Sequence, residues 1–125
     1  MSNRRTESAA TDPQAIMVVA GEVSGDQHAA LLVRALRAKM PQLRFFGIGG
    51  ACLRDEGMEI IQDVGPMAVM GVVEVLRRYG FFRKVFERMI DLARERRPAA
   101  VILVDYPGFN LRLAARLKDM GIRVI

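Results

Sequence analysis

The chain of 125 residues has no tryptophan, a single cysteine and a single histidine. Cys52 cannot form an internal disulfide, which fits a reducing cytoplasm. Because one cysteine and one histidine do not make a ligand cluster, we predict no metal site and no resident cofactor. The most apolar segment, residues 66–73, is too short to span a bilayer and is interrupted by Glu74, although peripheral membrane contact remains open.

The composition present is that of a globular domain, with 51% hydrophobic and 26% charged residues. Residues 1–14 are predicted to form a disordered tail, since residues 1–11 are polar and no apolar core of a secretory signal follows them. Residues 15–125 are predicted to form one domain. The net charge of +5 favours anionic partners, but no nucleic-acid motif is present and the aromatic residues do not alternate with basic ones. We therefore predict no nucleic-acid partner.

Strand-like and helix-like patterns alternate along the chain. Strands are predicted at residues 16–20, 43–48, 58–61, 99–104 and 122–125. Helical spacing predicts one apolar helix face with His28, Leu31, Leu32, Ala35 and Leu36, in a helix that ends before Pro41. A short helix is predicted up to Glu56, and a later one has Phe82, Val85, Phe86, Met89, Ile90 and Ala93 on its apolar face. Another helix contains Leu113, Ala114 and Leu117. This order predicts an α/β fold with a Rossmann-like, mostly parallel sheet flanked by helices.

Asp105 follows the apolar run at residues 99–104, which is typical of a parallel strand buried on both faces. Ligands of open α/β sheets bind beyond the carboxyl ends of such strands. Asp105 is therefore a candidate base that accepts a proton from a substrate hydroxyl. The alternative is structural, because Asp-Tyr-Pro-Gly is also favourable turn chemistry. Asn110, five residues later, is a candidate N-cap.

The turn after the first strand, residues 21–27, has the sequence GEVSGDQ. Ser24 and Gln27 fit a capping box, and Asp26 suits the positive end of a helix dipole. The turn lacks the lysine of a phosphate-binding loop and the glycine spacing of a dinucleotide site, which disfavours ATP or NAD. Carboxylates and a serine suit sugar hydroxyls better. His28 is interpreted as a packed or rim residue rather than a catalyst.

Residues 67–84 are more apolar than a surface segment requires, and the segment contains four basic residues. One interpretation is a core helix followed by a solvated basic turn. The other is an interfacial element, in which apolar side chains enter lipid and basic side chains contact anionic headgroups. Both remain open from the pattern alone.

Four blocks occur in the order found in lipid-A-disaccharide synthases, and the chain resembles that family over residues 16–125. The blocks are VAGEVSGD at 19–26, FGIGG at 46–50, MAVMGVVEVL at 67–76 and VDYPGFN at 104–110. The resemblance implies a two-domain GT-B glycosyltransferase that joins UDP-2,3-diacylglucosamine to 2,3-diacylglucosamine 1-phosphate and releases UDP. It also implies a cytoplasmic enzyme that is peripheral at the inner membrane of Gram-negative bacteria.

The resemblance assigns roles to individual residues. It implies that Asp105 is the general base and that the substrate-binding cleft is lined by Glu22, Ser24, Gly25, Asp26 and Asn110. It implies membrane contact by Val73, Val75, Leu76, Arg77, Arg78, Phe82, Arg83 and Lys84. The family's carboxy-terminal UDP-sugar domain is absent from this sequence, so we expect the chain alone to be inactive. The alternative function is a non-catalytic module, or inactive fragment, that binds a glycolipid or a protein.

Overall fold

A computed structural model describes residues 11–65, 79–105 and 107–125. In these ranges the strands are β1 (Asp12–Ala20), β2 (Arg44–Gly49), β3 (Glu59–Asp63) and β4 (Pro98–Val104). The helices are α1 (Val23–Lys39), α2 (Ala51–Asp55), α3 (Tyr79–Arg96) and α4 (Pro107–Asp119). The first ten residues of the predicted tail lie outside the described residues, as do the predicted membrane-contact residues Val73, Val75, Leu76, Arg77 and Arg78.

The strands form one parallel sheet in the order β3-β2-β1-β4, which confirms the predicted α/β, Rossmann-like fold. β1 lies at the centre, where Val18 is level with Gly47 of β2 and Ile102 of β4. The alternating side chains of β1 divide the core into two layers. Met17 and Val19 pack with α3 and α4, whereas Ile16 and Val18 pack with α1 and α2.

Several boundaries differ from the prediction. β1 begins at Asp12, because the Asp12 amide bonds to the carbonyl of Arg97 and its carboxylate pairs with Arg44 of β2 at 2.6 Å. The last three residues of the predicted tail therefore lie in β1. The third strand is displaced toward higher numbers, to Glu59–Asp63. The predicted fifth strand is reduced to one parallel bridge between Val124 and Val101 on the outer side of β4.

The predicted apolar face of the first helix is wrong. Leu31 and Leu32 are 62% and 42% exposed, and His28 is exposed as well. The residues of α1 that are buried are Gly25, Asp26, Ala29, Ala30 and Val33. Helical periodicity allowed both orientations, and the observed one turns small side chains toward the sheet. It also directs Asp26 into the loop after β2, where backbone N–H groups bind its carboxylate.

The predicted apolar face of α3 is confirmed. Val85, Met89, Ile90 and Ala93 are buried, and Phe82 and Phe86 are partly buried against the same core layer. The ring of Phe86 contacts Phe109 of α4 edge to face, with 5.5 Å between centroids. This contact joins the two helices that cover one face of the sheet.

Candidate active site at the carboxyl end of the sheet

The candidate site lies at the switch point of the sheet, between the carboxyl ends of β1 and β4. The chain leaves β1 toward β2 on one side, and it later returns to β4 on the other side of β1. Loops after two such strands diverge and leave a crevice, where ligands of open α/β sheets bind. The first turn of α1 and Asp105 meet here, since a Cβ atom built on Gly25 would lie 3.3 Å from Asp105 Oδ2.

Asp105 is exposed and has a φ of 57°, in the left-handed region that aspartate adopts more readily than most residues other than glycine. No hydrogen bond or ion pair reaches its carboxylate from the part of the chain that the structure describes. Backbone strain of this kind is concentrated at functional sites. The carboxylate is therefore accessible and available to accept a proton from a ligand.

Asn110 is not the N-cap that its sequence position suggested. α4 begins at Pro107, so Asn110 lies in the first turn of that helix. Asn110 is 5% exposed, and its side-chain amide donates a hydrogen bond to the backbone carbonyl of Asp105. The side chain therefore contacts the backbone of the candidate base.

The predicted capping box in the α1 turn is also wrong. The N-cap of α1 is Glu22, and no side-chain hydrogen bond caps the helix there. Glu22 and Ser24 are both exposed beside the carboxyl end of β1. Their side chains are consequently free of a capping role and lie on the side of the sheet that carries Asp105.

Asp26 is the most fully hydrogen-bonded side chain of this region. It is 3% exposed, and its Oδ1 accepts hydrogen bonds from the amides of Gly50 at 2.7 Å and Leu53 at 3.1 Å. Its Oδ2 accepts a third from the amide of Cys52 at 3.0 Å. These donors are the otherwise unpaired amides at the start of α2. The carboxylate of Asp26 therefore joins the loop after β1 to the loop after β2.

Gly50 is the site residue whose role sequence reasoning missed. A Cβ atom built on it would lie 2.9 Å from Asp26 Oδ2 and 3.0 Å from a methyl carbon of Val64. The available signal was the Gly49-Gly50 pair at the end of β2, the same edge of the sheet as Asp26. Beside it, burial and then the charge of Asp26 raise the pKa of the Cys52 thiol, which disfavours the reactive thiolate form.

The predicted site residues therefore separate into two groups. Glu22, Ser24 and Asp105 are exposed and can contact a ligand, whereas Gly25, Asp26 and Asn110 are buried around them. Within the described ranges, no cluster of three or more His, Cys, Asp or Glu side chains is placed to hold a metal ion. The exposed side chains of Glu22, Ser24 and Asp105 can form hydrogen bonds with hydroxyl groups of a ligand, and the carboxylates of Glu22 and Asp105 can accept a proton.

A shallow groove at the opposite end of the sheet is a weaker candidate. Its two arginines are both paired, Arg44 with Asp12 at 2.6 Å and Arg96 with Glu59 at 2.9 Å. The Arg96 guanidinium also lies 4.7 Å from the centroid of the Phe46 ring. Because both cations already have partners, the groove offers little to an anionic ligand.

The described part of the predicted membrane-contact region is the start of α3. Arg83 and Lys84 are exposed there, whereas Phe82 packs against the core and contacts Phe81. Among the helices described, none combines the length and the apolar character that crossing a membrane requires. The two cations can therefore contact an anionic surface, and Phe82 contributes at least partly to the core.

Comparison with known proteins identifies relatives of this chain. The family model described as lipid-A-disaccharide synthetase matches residues 16–125. The lipid-A-disaccharide synthase of Myxococcus xanthus is 51% identical over 114 residues, which are 91% of this chain and 30% of that protein. Relatives of the same name from Trichlorobacter lovleyi and Legionella pneumophila, the latter named synthase 1, are each 45% identical over 90% and 88% of this chain.

The chain spans about three tenths of the length of these curated relatives. The family match nevertheless covers all the described strands and helices apart from the first residues of β1. The candidate site, from Glu22 to Asn110, lies wholly inside the matched residues. On this match, the chain belongs to the lipid-A-disaccharide synthetase family.

Proposed function

We propose that this chain forms the acceptor-side part of a lipid-A-disaccharide synthase. The reaction transfers 2,3-diacylglucosamine from UDP-2,3-diacylglucosamine to 2,3-diacylglucosamine 1-phosphate and releases UDP. The observation that carries the proposal is the exposed Asp105 carboxylate at the switch point, next to Gly25 in the first turn of α1. The family and the names of the relatives support the choice of sugar chemistry.

In the proposed mechanism, Asp105 is the general base. Its carboxylate accepts the proton of the acceptor's 6-hydroxyl while that oxygen attacks the anomeric carbon of the donor sugar. The bond between that carbon and the UDP oxygen breaks, UDP departs with the bonding electrons, and the configuration inverts. General-base catalysis of this kind contributes about 10²- to 10⁴-fold in rate.

The other exposed residues of the site suit substrate binding. Glu22 and Ser24 are accessible at the start of α1 and can bind sugar hydroxyls. The UDP-sugar site would come from a carboxy-terminal domain, because the relatives are about three times as long as this chain. We expect the 125 residues by themselves to be inactive for that reason.

A peripheral position at the cytoplasmic face of the inner membrane of a Gram-negative bacterium fits these acylated substrates. Exposed Arg83 and Lys84 would contact anionic headgroups, each contributing about 1 kcal/mol near the surface. Val73, Val75, Leu76, Arg77 and Arg78, which precede α3, complete the proposed contact. A substitution of Phe82 does not test membrane contact cleanly, because Phe82 is partly buried against the core and its replacement also destabilises the fold.

The proposed reaction is tested by mixing this chain with a separately produced carboxy-terminal portion of the Myxococcus xanthus relative. Formation of disaccharide 1-phosphate from the two diacylglucosamine substrates is followed for each piece and for the mixture. Turnover only in the mixture supports the proposal. Asp105→Asn, which keeps the shape but not the basicity, should reduce kcat about 10²-fold or more, and near-normal kcat would exclude Asp105 as the base.

A second candidate function is a non-catalytic module that binds a glycolipid or a protein. The observation that favours it is the short span of the chain relative to the enzymes it matches. One result distinguishes the two functions. If this chain and the carboxy-terminal portion are both folded and bind 2,3-diacylglucosamine 1-phosphate, but give no turnover either when mixed or when fused, the non-catalytic module is favoured.

Membrane contact needs a separate measurement. Arg83→Glu with Lys84→Glu should reduce co-sedimentation with vesicles that contain phosphatidylglycerol, and should not affect neutral vesicles. Arg94→Glu with Lys118→Glu is the matched control, since both are exposed cations in the last turns of α3 and α4 and the net charge changes equally. Equal loss in both variants would indicate a general charge effect rather than a defined contact.

A further inference from the structure

The left-handed backbone of Asp105 requires an explanation within the fold. A residue with a Cβ atom in this region has a free energy about 1–2 kcal/mol higher than in its ordinary conformations. Asp105 has a φ of 57° between the end of β4 and the start of α4. Aspartate tolerates this region better than most residues, and contacts around Asp105 can select this conformation over the extended one.

Asn110 provides such a contact. Its side-chain Nδ2 donates a hydrogen bond to the backbone carbonyl of Asp105, five residues earlier in the chain. The amide is held in place, because Asn110 is 5% exposed and lies within the first turn of α4. Its Oδ1 is buried and has no hydrogen-bond partner in the described ranges. The side-chain amide of Asn110 therefore contacts the backbone of Asp105. Because it is buried, it is not accessible to a ligand in the crevice.

Gly25 provides the space for the carboxylate on the opposite side. A Cβ atom at that position would lie 3.3 Å from Asp105 Oδ2 and 3.4 Å from the carbonyl oxygen of Val104. Contacts between 3.0 and 3.4 Å are tighter than most real Cβ contacts, so a larger residue would displace the carboxylate or the strand end. The carboxylate is thus confined by Gly25 while its backbone is held by Asn110.

We infer that Asn110 is a positioning residue, which holds the Asp105 backbone in the left-handed conformation and so aims the carboxylate, rather than a residue that binds substrate. The inference rests on the proposed role of Asp105 as the base. Misplacing a catalytic group by about 1 Å can reduce the rate by about 10²-fold. Loss of the Asn110 amide should therefore reduce kcat and leave substrate binding largely intact.

The direct test uses the 125-residue chain and needs no catalysis. In the wild-type chain, NMR should detect slow hydrogen exchange of the Asn110 side-chain amide and a positive φ at Asp105 from its backbone couplings. In Asn110→Leu, which removes the donor at similar volume, the positive φ should be lost. Retention of the positive φ in this variant, or a freely exchanging amide in the wild type, would overturn the inference. A freely exchanging amide in the wild-type chain overturns the inference even if Asn110→Leu does not fold, and Asn110→Ser is then the variant in which φ is compared.

The second test uses the mixed transferase assay. Asn110→Leu should lower kcat about 10- to 100-fold with KM changed by less than about twofold. Asn110→Ser keeps a donor and should recover part of the loss, and Leu111→Ala, at the adjacent 72% exposed position, is the matched control. A raised KM with unchanged kcat would instead assign Asn110 to substrate binding.

The two proposals fail separately in this assay. If Asp105→Asn is fully active, the proposed base is wrong, whatever the behaviour of Asn110. If Asp105→Asn is inactive while Asn110→Leu keeps the wild-type kcat, only the positioning role is wrong.

Discussion

Two aspartates at the same edge of the sheet have opposite environments. Asp26 follows β1, is 3% exposed, and accepts three hydrogen bonds from backbone amides. Asp105 follows the adjacent strand β4, is exposed, and receives no hydrogen bond on its carboxylate from the described residues. Asp26 lies in the first turn of α1, and Asp105 lies just before α4.

The difference separates a carboxylate that is bound by the backbone from one that is accessible to a ligand. A carboxylate that binds several backbone N–H groups is fixed and strongly stabilises the structure around it. An exposed carboxylate without such partners contributes little to stability, and its positive φ is of the kind that clusters at functional sites. We therefore expect replacements of Asp26 to change stability and replacements of Asp105 to change activity.

The largest expected effect is on the stability of Asp26→Ala. The change leaves the amides of Gly50, Cys52 and Leu53 without their acceptor, and each unsatisfied buried group costs about 1–3 kcal/mol. We expect a loss of about 3 kcal/mol or more in the free energy of unfolding, measured by urea denaturation. Ser24→Ala, at an exposed position of the same helical turn, is the control and should change the free energy of unfolding by less than about 0.5 kcal/mol. Similar stability of the two variants would refute the structural role of Asp26.

Gly50→Ala should have the next largest effect. The added methyl group would lie 2.9 Å from Asp26 Oδ2, an atom already held by the amide of Cys52. We expect destabilisation of about 1–3 kcal/mol, as for other overpacked sites. Gly80→Ala is the matched control, because nothing lies within 4 Å of a Cβ atom there and alanine favours the helix by up to about 1 kcal/mol. Thermal denaturation should therefore move the two variants in opposite directions.

Asp105→Gly sharpens the comparison, because it should stabilise the protein while removing the proposed activity. Glycine adopts a positive φ without steric cost, and the bond from Asn110 goes to the backbone carbonyl, which remains. We expect an increase of about 0.5–1 kcal/mol in the free energy of unfolding. A clear loss of stability, measured under the same conditions as for Asp26→Ala, would mean that the Asp105 side chain has a structural role.

The smallest effect concerns the Cys52 thiol. Burial and the charge of Asp26 both raise the pKa of this thiol, so its thiolate fraction at neutral pH is lower than usual. Asp26→Asn removes the charge and lowers the pKa, and alkylation of the thiol near pH 7 should become faster. The rate of reaction with iodoacetamide measures this, with Ser24→Ala as the control. An unchanged rate in Asp26→Asn would mean that the raised pKa comes from burial alone.

Local patterns predicted the elements that matter for the fold. The apolar run at residues 99–104 predicted a strand with Asp105 just beyond it, because a strand buried on both faces needs continuous apolar residues. The spacing of Val85, Met89 and Ala93 predicted the buried face of α3 correctly, since charged residues left only one possible orientation.

The same reasoning failed where two local patterns competed. In α1 the apolar residues fit two helix faces, and the face with the larger side chains, Leu31 and Leu32, is exposed. In α4 the position of Asn110 fitted an N-cap, but the helix begins three residues earlier, at Pro107. In α1 the contact of Asp26 with the loop after β2 accompanies the observed orientation, whereas α4 begins at Pro107, a residue type that suits the first helical position.

The sequence by itself determined the alternation of strands and helices, the family and the position of Asp105 at a strand end, because these depend on neighbouring residues. Only the tertiary structure decided which aspartate is buried. The partners of the Asp26 carboxylate lie 24 to 27 residues away, and they reach it because parallel pairing of β1 with β2 brings the two loops to one edge. Hydrogen bonds over that separation leave no periodic signal in the sequence, so folding alone distinguishes the structural carboxylate from the available one.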